Sequence, residues 1–181
     1  MTLIDIFNPG YINLIGEYET FPWESIVIEA QHLGYSVYLI FGNVVPINLR
    51  LIYTLLKRLG KKLNITIRRG FTYHQLLYIV DELDKYYDLV IFFHDPVSFM
   101  DLKPDEKNII VKSIAISLGR YAGTLNSICI FSSNEKLNIP LEVKRIKVEI
   151  FKNGFMAESQ GVKRYIYNDP RQISLDYFME V

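Results

Sequence analysis

One cysteine in 181 residues excludes an internal disulfide, and its place in the apolar run Ser127-Ile128-Cys129-Ile130-Phe131 marks a buried thiol in a reducing compartment. No uninterrupted apolar stretch approaches the ~20 residues that span a bilayer, so no membrane association is expected. The N-terminus carries Asp5 and lacks a basic start followed by a long apolar stretch, which excludes a secretion signal. These absences predict a cytoplasmic protein. Net charge is absent too: 20 Lys plus Arg balance 20 Asp plus Glu, so any nucleic-acid contact has to come from a local patch. The histidines His32, His74 and His94 stand far apart and no Cys or His pair has ligand spacing, so no metal and no cofactor are expected.

What the chain does have is apolar and aromatic mass. Half of its residues are hydrophobic, with 13 Tyr and 11 Phe, enough for one sizeable core in a single domain spanning 1–181. That much aromatic surface also makes self-association plausible. Gln and Cys are scarce and Tyr and Ile abundant, a bias compatible with a thermophilic source.

Apolar runs of strand length alternate with stretches of helical period, the pattern of an α/β protein with a mostly parallel central sheet. Strands are predicted near 11–15, 35–41, 64–68, 88–93 and 127–131, with helices over 22–33, 46–59, 73–86 and 104–122 between them. Pro22, Pro46 and Pro104 stand near helix starts, and Gly34, Gly60 and Gly123 where helices should end. In the last helix Ile109, Ile110, Ser113, Ile114, Ser117, Leu118 and Tyr121 form one apolar face, and Leu51, Leu55 and Leu59 read as a core stripe. Beyond Pro140 the pattern changes to short alternating strands over 145–151 and 162–167, with Asn153-Gly154 able to form a tight turn. This C-terminal part should add antiparallel strands to the sheet.

The segment Gly16-Glu17-Tyr18-Glu19-Thr20-Phe21-Pro22-Trp23-Glu24-Ser25 lies where the first strand hands over to the first helix. A phosphate-binding loop there reads G-x-x-x-x-G-K-[ST], because backbone N–H groups cradle phosphates, Lys reaches the β/γ-phosphates and the hydroxyl holds Mg²⁺. Gly16 is in place, but Phe21, Pro22 and Trp23 stand where Gly, Lys and Ser/Thr belong. Either an aromatic plug or partner anchor, or simple packing into a vacated pocket, would follow, and neither binds ATP.

Gly10-Tyr11-Ile12-Asn13-Leu14-Ile15-Gly16-Glu17-Tyr18, Gly34-Tyr35-Ser36-Val37-Tyr38-Leu39-Ile40 and Asp88-Leu89-Val90-Ile91-Phe92-Phe93-His94-Asp95, in this order, resemble the ATPase core of the RecA/RadA recombinase family. The resemblance runs from about Phe7 to Tyr167 and points to a reduced, archaeal-type RadA paralog with a degenerate Walker A motif. Gly16, Glu17 and Tyr18 match the family's Gly-Glu-aromatic strand end, and Asp95 falls near its Walker B aspartate. The family's catalytic Glu has no counterpart in Ile40-Phe41-Gly42-Asn43. Glu135 stands where its sensor Gln would be, and an acid there repels a γ-phosphate. The segments corresponding to its two DNA-binding loops, 101–107 and 135–140, are short. The resemblance also implies no separate N-terminal DNA-binding domain and no filament-linker motif.

Gly16, Glu17, Phe21, Pro22, Trp23 and Asp95 are therefore expected to form a degenerate nucleotide site with no catalytic residue. A hydrolytic triad of His94, Asp95 and Ser98 is disfavoured, because adjacent strand residues point to opposite faces. Lys57, Arg58, Lys61, Lys62, Arg68, Arg69, Lys144 and Arg145 are possible DNA or partner contacts, with Phe71 and Tyr73 near enough to stack on bases. The resemblance implies a non-enzymatic accessory or regulatory factor in DNA repair or homologous recombination, binding a recombinase or related RecA-like subunit. Residual nucleotide binding and a structural oligomer outside recombination remain open.

Overall fold

The computed structural model describes residues 7, 9–15, 21–133, 144–151, 154–159 and 162–167. Its first five strands are β1 (Gly10–Ile15), β2 (Val37–Phe41), β3 (Ile65–Arg69), β4 (Leu89–Phe93) and β5 (Ile128–Ser133), separated by helices α1 (Trp23–His32), α2 (Leu49–Arg58), α3 (Tyr73–Asp81) and α4 (Pro104–Leu125). Three further strands follow: β6 (Lys144–Phe151), β7 (Gly154–Ser159) and β8 (Val162–Tyr167). The sheet order is β3-β2-β4-β5-β1-β6-β7-β8. The α/β class and the parallel central sheet flanked by helices are as the sequence predicts.

The chain moves from β1 outward to β2 and β3, then returns through β4 to β5. With one handedness of crossover, reversing the direction of travel places the later helices on the opposite face of the sheet. The core divides accordingly. On one face α1 and α2 lay Trp23, Ile26, Val27, Ile52 and Leu56 over Ile12, Leu14, Val37, Leu39, Phe41, Leu89, Ile91, Phe93, Ile128 and Ile130. On the other, α3 and α4 lay Leu76, Val80, Val111, Ile114, Ala115 and Leu118 over Tyr38, Ile40, Val90, Phe92, Cys129 and Phe131. Alternate residues of one strand thus serve two cores, which is why β2, β4 and the Ile128–Phe131 stretch of β5 are apolar in succession and all three strands are buried throughout. Within the second core burial pushes the Cys129 thiol up to about 12, against a smaller lowering by Ser127, so it packs as an inert group.

Several local expectations change. Helix α4 runs through Gly123 to Leu125, and Asn126 rather than glycine takes the left-handed conformation that ends it (φ 54°). Gly34 and Gly60 do end α1 and α2 with positive φ. Ile109 lies on the outer face of α4, whereas Val111 and Ala115 face the sheet. Leu51 is exposed and the buried stripe of α2 is Ile52 and Leu56, one residue further on. Helix α3 stops at Asp81, short of 86, and α2 starts at Leu49, beyond Pro46, where Asn48 accepts a hydrogen bond from the Leu51 N–H. In the C-terminal part β6 runs parallel to β1, and β7, not foreseen as a strand, pairs antiparallel with both β6 and β8. Asn153 lies outside the described residues.

At the N-terminal ends of β2 and β4 the Asp88 carboxylate joins the two strands. It accepts from the Ser36 N–H and hydroxyl at 2.8 Å each and from the Tyr86 hydroxyl at 2.9 Å. Partial burial pushes its pKa up, but these donors outweigh burial and hold it below the ordinary carboxylate value. A depressed folded-state pKa stabilises above the unfolded value of ~4 and loses that contribution as pH falls through the folded value. Asp88→Asn should therefore lower the Tm at pH 7, and the difference from wild type should shrink below about pH 4 in a pH series of thermal melts. A pH-independent difference would show that the charge of Asp88 is not what joins the strands.

Candidate functional site

Parallel α/β sheets bind ligands beyond the C-terminal ends of their strands, where the strand order reverses. Here β1 leads toward α1, β2 leads to Gly42-Asn43, β3 to Gly70-Phe71 and β4 to His94-Asp95. Gly16 and Glu17 lie outside the described residues; Phe21, Pro22, Trp23 and Asp95 lie within them.

Pro22 precedes α1 and supplies no side-chain cap. Trp23 is fully buried, with its ring 4.7 Å from Phe21 and 5.0 Å, edge-on, from Phe93 at the end of β4. A tryptophan without exposed surface cannot anchor a partner, so the anchor reading of Trp23 is corrected: these rings fill the space inside the helix start. Glu24, in the first turn, accepts from the Asn48 N–H at 2.6 Å and so links the starts of α1 and α2. Its charge suits the positive end of the helix dipole and opposes a phosphate arriving there.

Asp95 is 2% exposed and saturated. One carboxylate oxygen accepts from the Asn43 N–H at 2.8 Å, the Val44 N–H at 3.2 Å and the Ser98 hydroxyl at 3.0 Å; the other accepts from the Val97 N–H at 2.9 Å. That last bond caps the short 3-10 helix Pro96–Phe99. The Asn43 side chain extends the network, donating to the Ser98 hydroxyl at 3.1 Å and to the Phe71 carbonyl at 3.4 Å. A single carboxylate thus ties the loops after β2 and β4 and reaches the segment after β3 through Asn43. The approach is so close that a Cβ on Gly42 would stand 2.3 Å from the Ser98 Oγ and 2.8 Å from the Asp95 Oδ2. Only glycine fits at 42 without displacing the network. Sequence reasoning saw Gly42-Asn43 only as the absence of an acid; its role as the donor loop for Asp95 depends on strands 52 residues apart lying side by side.

His94 points into the second core. Its ring lies 5.0 Å from Phe99 and 5.9 Å from Phe131, and its Nδ1 is 3.3 Å from the Ser133 hydroxyl. Ser98 bonds to Asp95 and not to His94, so no triad forms among His94, Asp95 and Ser98. Ser132, buried on the α1 side of β5, has a hydroxyl with no hydrogen-bond partner among the described residues. Among the described residues no three His, Cys, Asp or Glu side chains gather as a metal site, and no helix is long and apolar enough to cross a membrane.

The basic residues separate. Lys57 and Arg58 close α2, Lys61 and Lys62 follow it, and all four are exposed at the N-terminal end of β3. Arg68 and Arg69 are exposed at the other end of that strand, ~13 Å away along a rise of about 3.3 Å per residue. Lys144 and Arg145 open β6, paired with Ile12 and Asn13 of β1; β6 stands five positions from β3 in the sheet, roughly 24 Å. One continuous phosphate-binding patch is thereby excluded for these eight positions. Arg69 is distinct in being held in place. Its guanidinium donates to the carbonyls of Gly42 and Asn43, at 3.1 Å for the shortest bond, and lies 5.7 Å from the Phe41 ring and 5.0 Å from the Phe71 ring.

No protein-family model and no curated protein sequence matches this chain. Among solved structures it is similar to a crystal structure of the RadB recombinase, with a TM-score of 0.63 over 89% of this chain and 88% of that one, at 11% identity. The fold is that of a RecA-like recombinase. At this identity the likeness extends to the backbone, and the site has to be judged from its own side chains.

Two roles for Asp95 separate in a stability measurement. An aspartate kept for a bound cation is a stability cost, so replacing it should be neutral or stabilising; one that holds three loops together should not be dispensable. Asp95→Asn sets an amide N–H₂ against donors and should cost about 1–3 kcal/mol in urea unfolding. An unchanged or raised midpoint would refute the structural role.

Proposed function

We propose that this chain is a RadA-type paralog without ATPase activity that acts as an accessory or regulatory factor in DNA repair and homologous recombination. It would do so by docking on a recombinase or related RecA-like subunit. The observation that carries the reading is the filling of the nucleotide position: buried Trp23 packs on Phe93 where a phosphate-binding loop needs Lys and a hydroxyl. Asp95 supports it, because every carboxylate contact described is spent on protein donors. Phosphoryl transfer relies on positioned charge and metal, and a site built from Phe21, Pro22 and Trp23 offers neither. The RecA-like fold and its likeness to RadB, itself described as a recombinase, support a place among recombination proteins. The role would be architectural: a RecA-like face that binds a related subunit without closing over nucleotide.

The first test is a thermal melt with and without millimolar Mg²⁺–ATP, beside an intact recombinase core as control. A ligand of the native state raises Tm by mass action, about 2.7 kcal/mol of stabilisation at a hundredfold excess over Kd. No shift is expected here, and a clear one would overturn the degenerate site. The docking arm is coelution with a RecA-like recombinase in size-exclusion chromatography without nucleotide. Elution of this chain alone, or only as its own oligomer, would refute the accessory role.

A further inference from the structure

Phe71 is the exception among the phenylalanines whose side chains are described. Phe7, Phe21, Phe41, Phe92, Phe93, Phe99 and Phe131 are buried, while Phe71 is 56% exposed. Its exposure is not that of a loose loop. The Phe71 N–H donates to the Gln75 Oε1 at 2.8 Å, and its carbonyl accepts from the Asn43 side chain at 3.4 Å, so the backbone is held on both sides while the ring stays out. Arg69 is fixed against that ring by the carbonyls of Gly42 and Asn43, through Nε and Nη2. Among the described residues no carboxylate pairs with Arg69, and its Nη1 is left without a partner. Its charge is therefore ordered over one face of the Phe71 ring and not neutralised, while Phe71 remains exposed.

We propose that Arg69 and Phe71 form a stacking platform for single-stranded nucleic acid, a base lying on the Phe71 ring and the adjoining phosphate taken by Arg69 Nη1. A base offers a π face of any sequence and a phosphate offers an acceptor pair that suits a guanidinium. The free cation favours this ligand over an apolar protein side chain, which would leave the guanidinium buried and unpaired. The platform stands beyond the end of the edge strand β3, two and three strand positions from β4 and β5. It does not depend on whether the chain docks on a recombinase.

The test is fluorescence anisotropy of a labelled oligo(dT) titrated with the full chain at low salt, repeated with Phe71→Leu and Arg69→Gln. Phe71→Leu keeps the backbone contacts and apolar bulk and removes the π face, so its fold is checked by an unchanged melt. The expected result is saturable binding that Phe71→Leu weakens roughly tenfold, as loss of one base stack does. Arg69→Gln should weaken binding and flatten the salt dependence by about one phosphate, ~0.7 in log–log slope. Millimolar dTMP as competitor separates the sources of this chemistry: displacement places a free nucleotide on the ring, and no displacement means that the site needs a strand, both in accord with the platform. No binding of either ligand, or equal binding by wild type and Phe71→Leu, overturns the proposal and leaves the ring to a protein contact.

Discussion

A carboxylate taken out of water has to find hydrogen-bond donors, and Asp95 finds four, one from each of Asn43, Val44, Val97 and Ser98. Most of the geometry at the C-terminal end of the sheet depends on that arrangement. For the Asn43 and Val44 amides to reach one oxygen, the chain leaving β2 has to pass directly over β4, which leaves no room for a side chain at Gly42. The same turn presents the Gly42 and Asn43 carbonyls to Arg69, and the Asn43 amide to Phe71. Hydrogen bonds and the ordered Arg69–Phe71 contact at the edge thus follow from one buried acid.

The helix-start end is held by a different force. Phe21, Trp23 and Phe93 meet at tilted and edge-on angles, which suit aromatic quadrupoles and exclude water from the region between α1 and β4. A phosphate-binding helix start needs exposed N–H groups and space for an anion. Rings in that space and Glu24 in the first turn make it apolar inside and negative at its rim. Between the aromatic contact and the Asp95 network, Phe21, Trp23, Phe93 and Asp95 are all buried.

Much of the architecture was legible as pattern. Strands buried on both faces carry apolar residues in succession, and that signature located β2, β4 and β5 within two residues at each end. Less legible was anything that depends on phase. The stripes on α2 and α4 each include residues that apolarity alone assigns to the wrong face, as Leu51 and Ile109 show. Gly123 reads as a stop, yet an exposed glycine costs a long, well-packed helix only about 1 kcal/mol, and α4 continues past it. Strand β7 was missed because Gly154-Phe155-Met156-Ala157-Glu158-Ser159 lacks β-branched residues; its pairing on both sides supplies what propensity does not.

By itself the amino-acid sequence determined the class of fold and the order of its elements, because each depends on which residue types occur at which spacing. It could not decide what Asp95, Gly42, Arg69 and Phe71 do. Their roles arise between strands that are neighbours only in the sheet, across 52 residues for Asn43 and Asp95 and 28 for Asn43 and Phe71. Hydrogen bonds at that range are set by strand order and crossover direction, and neither is written in local pattern. Tertiary structure therefore made Asp95, expected in a degenerate nucleotide site, the tie that holds three loops, and it set the candidate basic residues at opposite ends of the sheet.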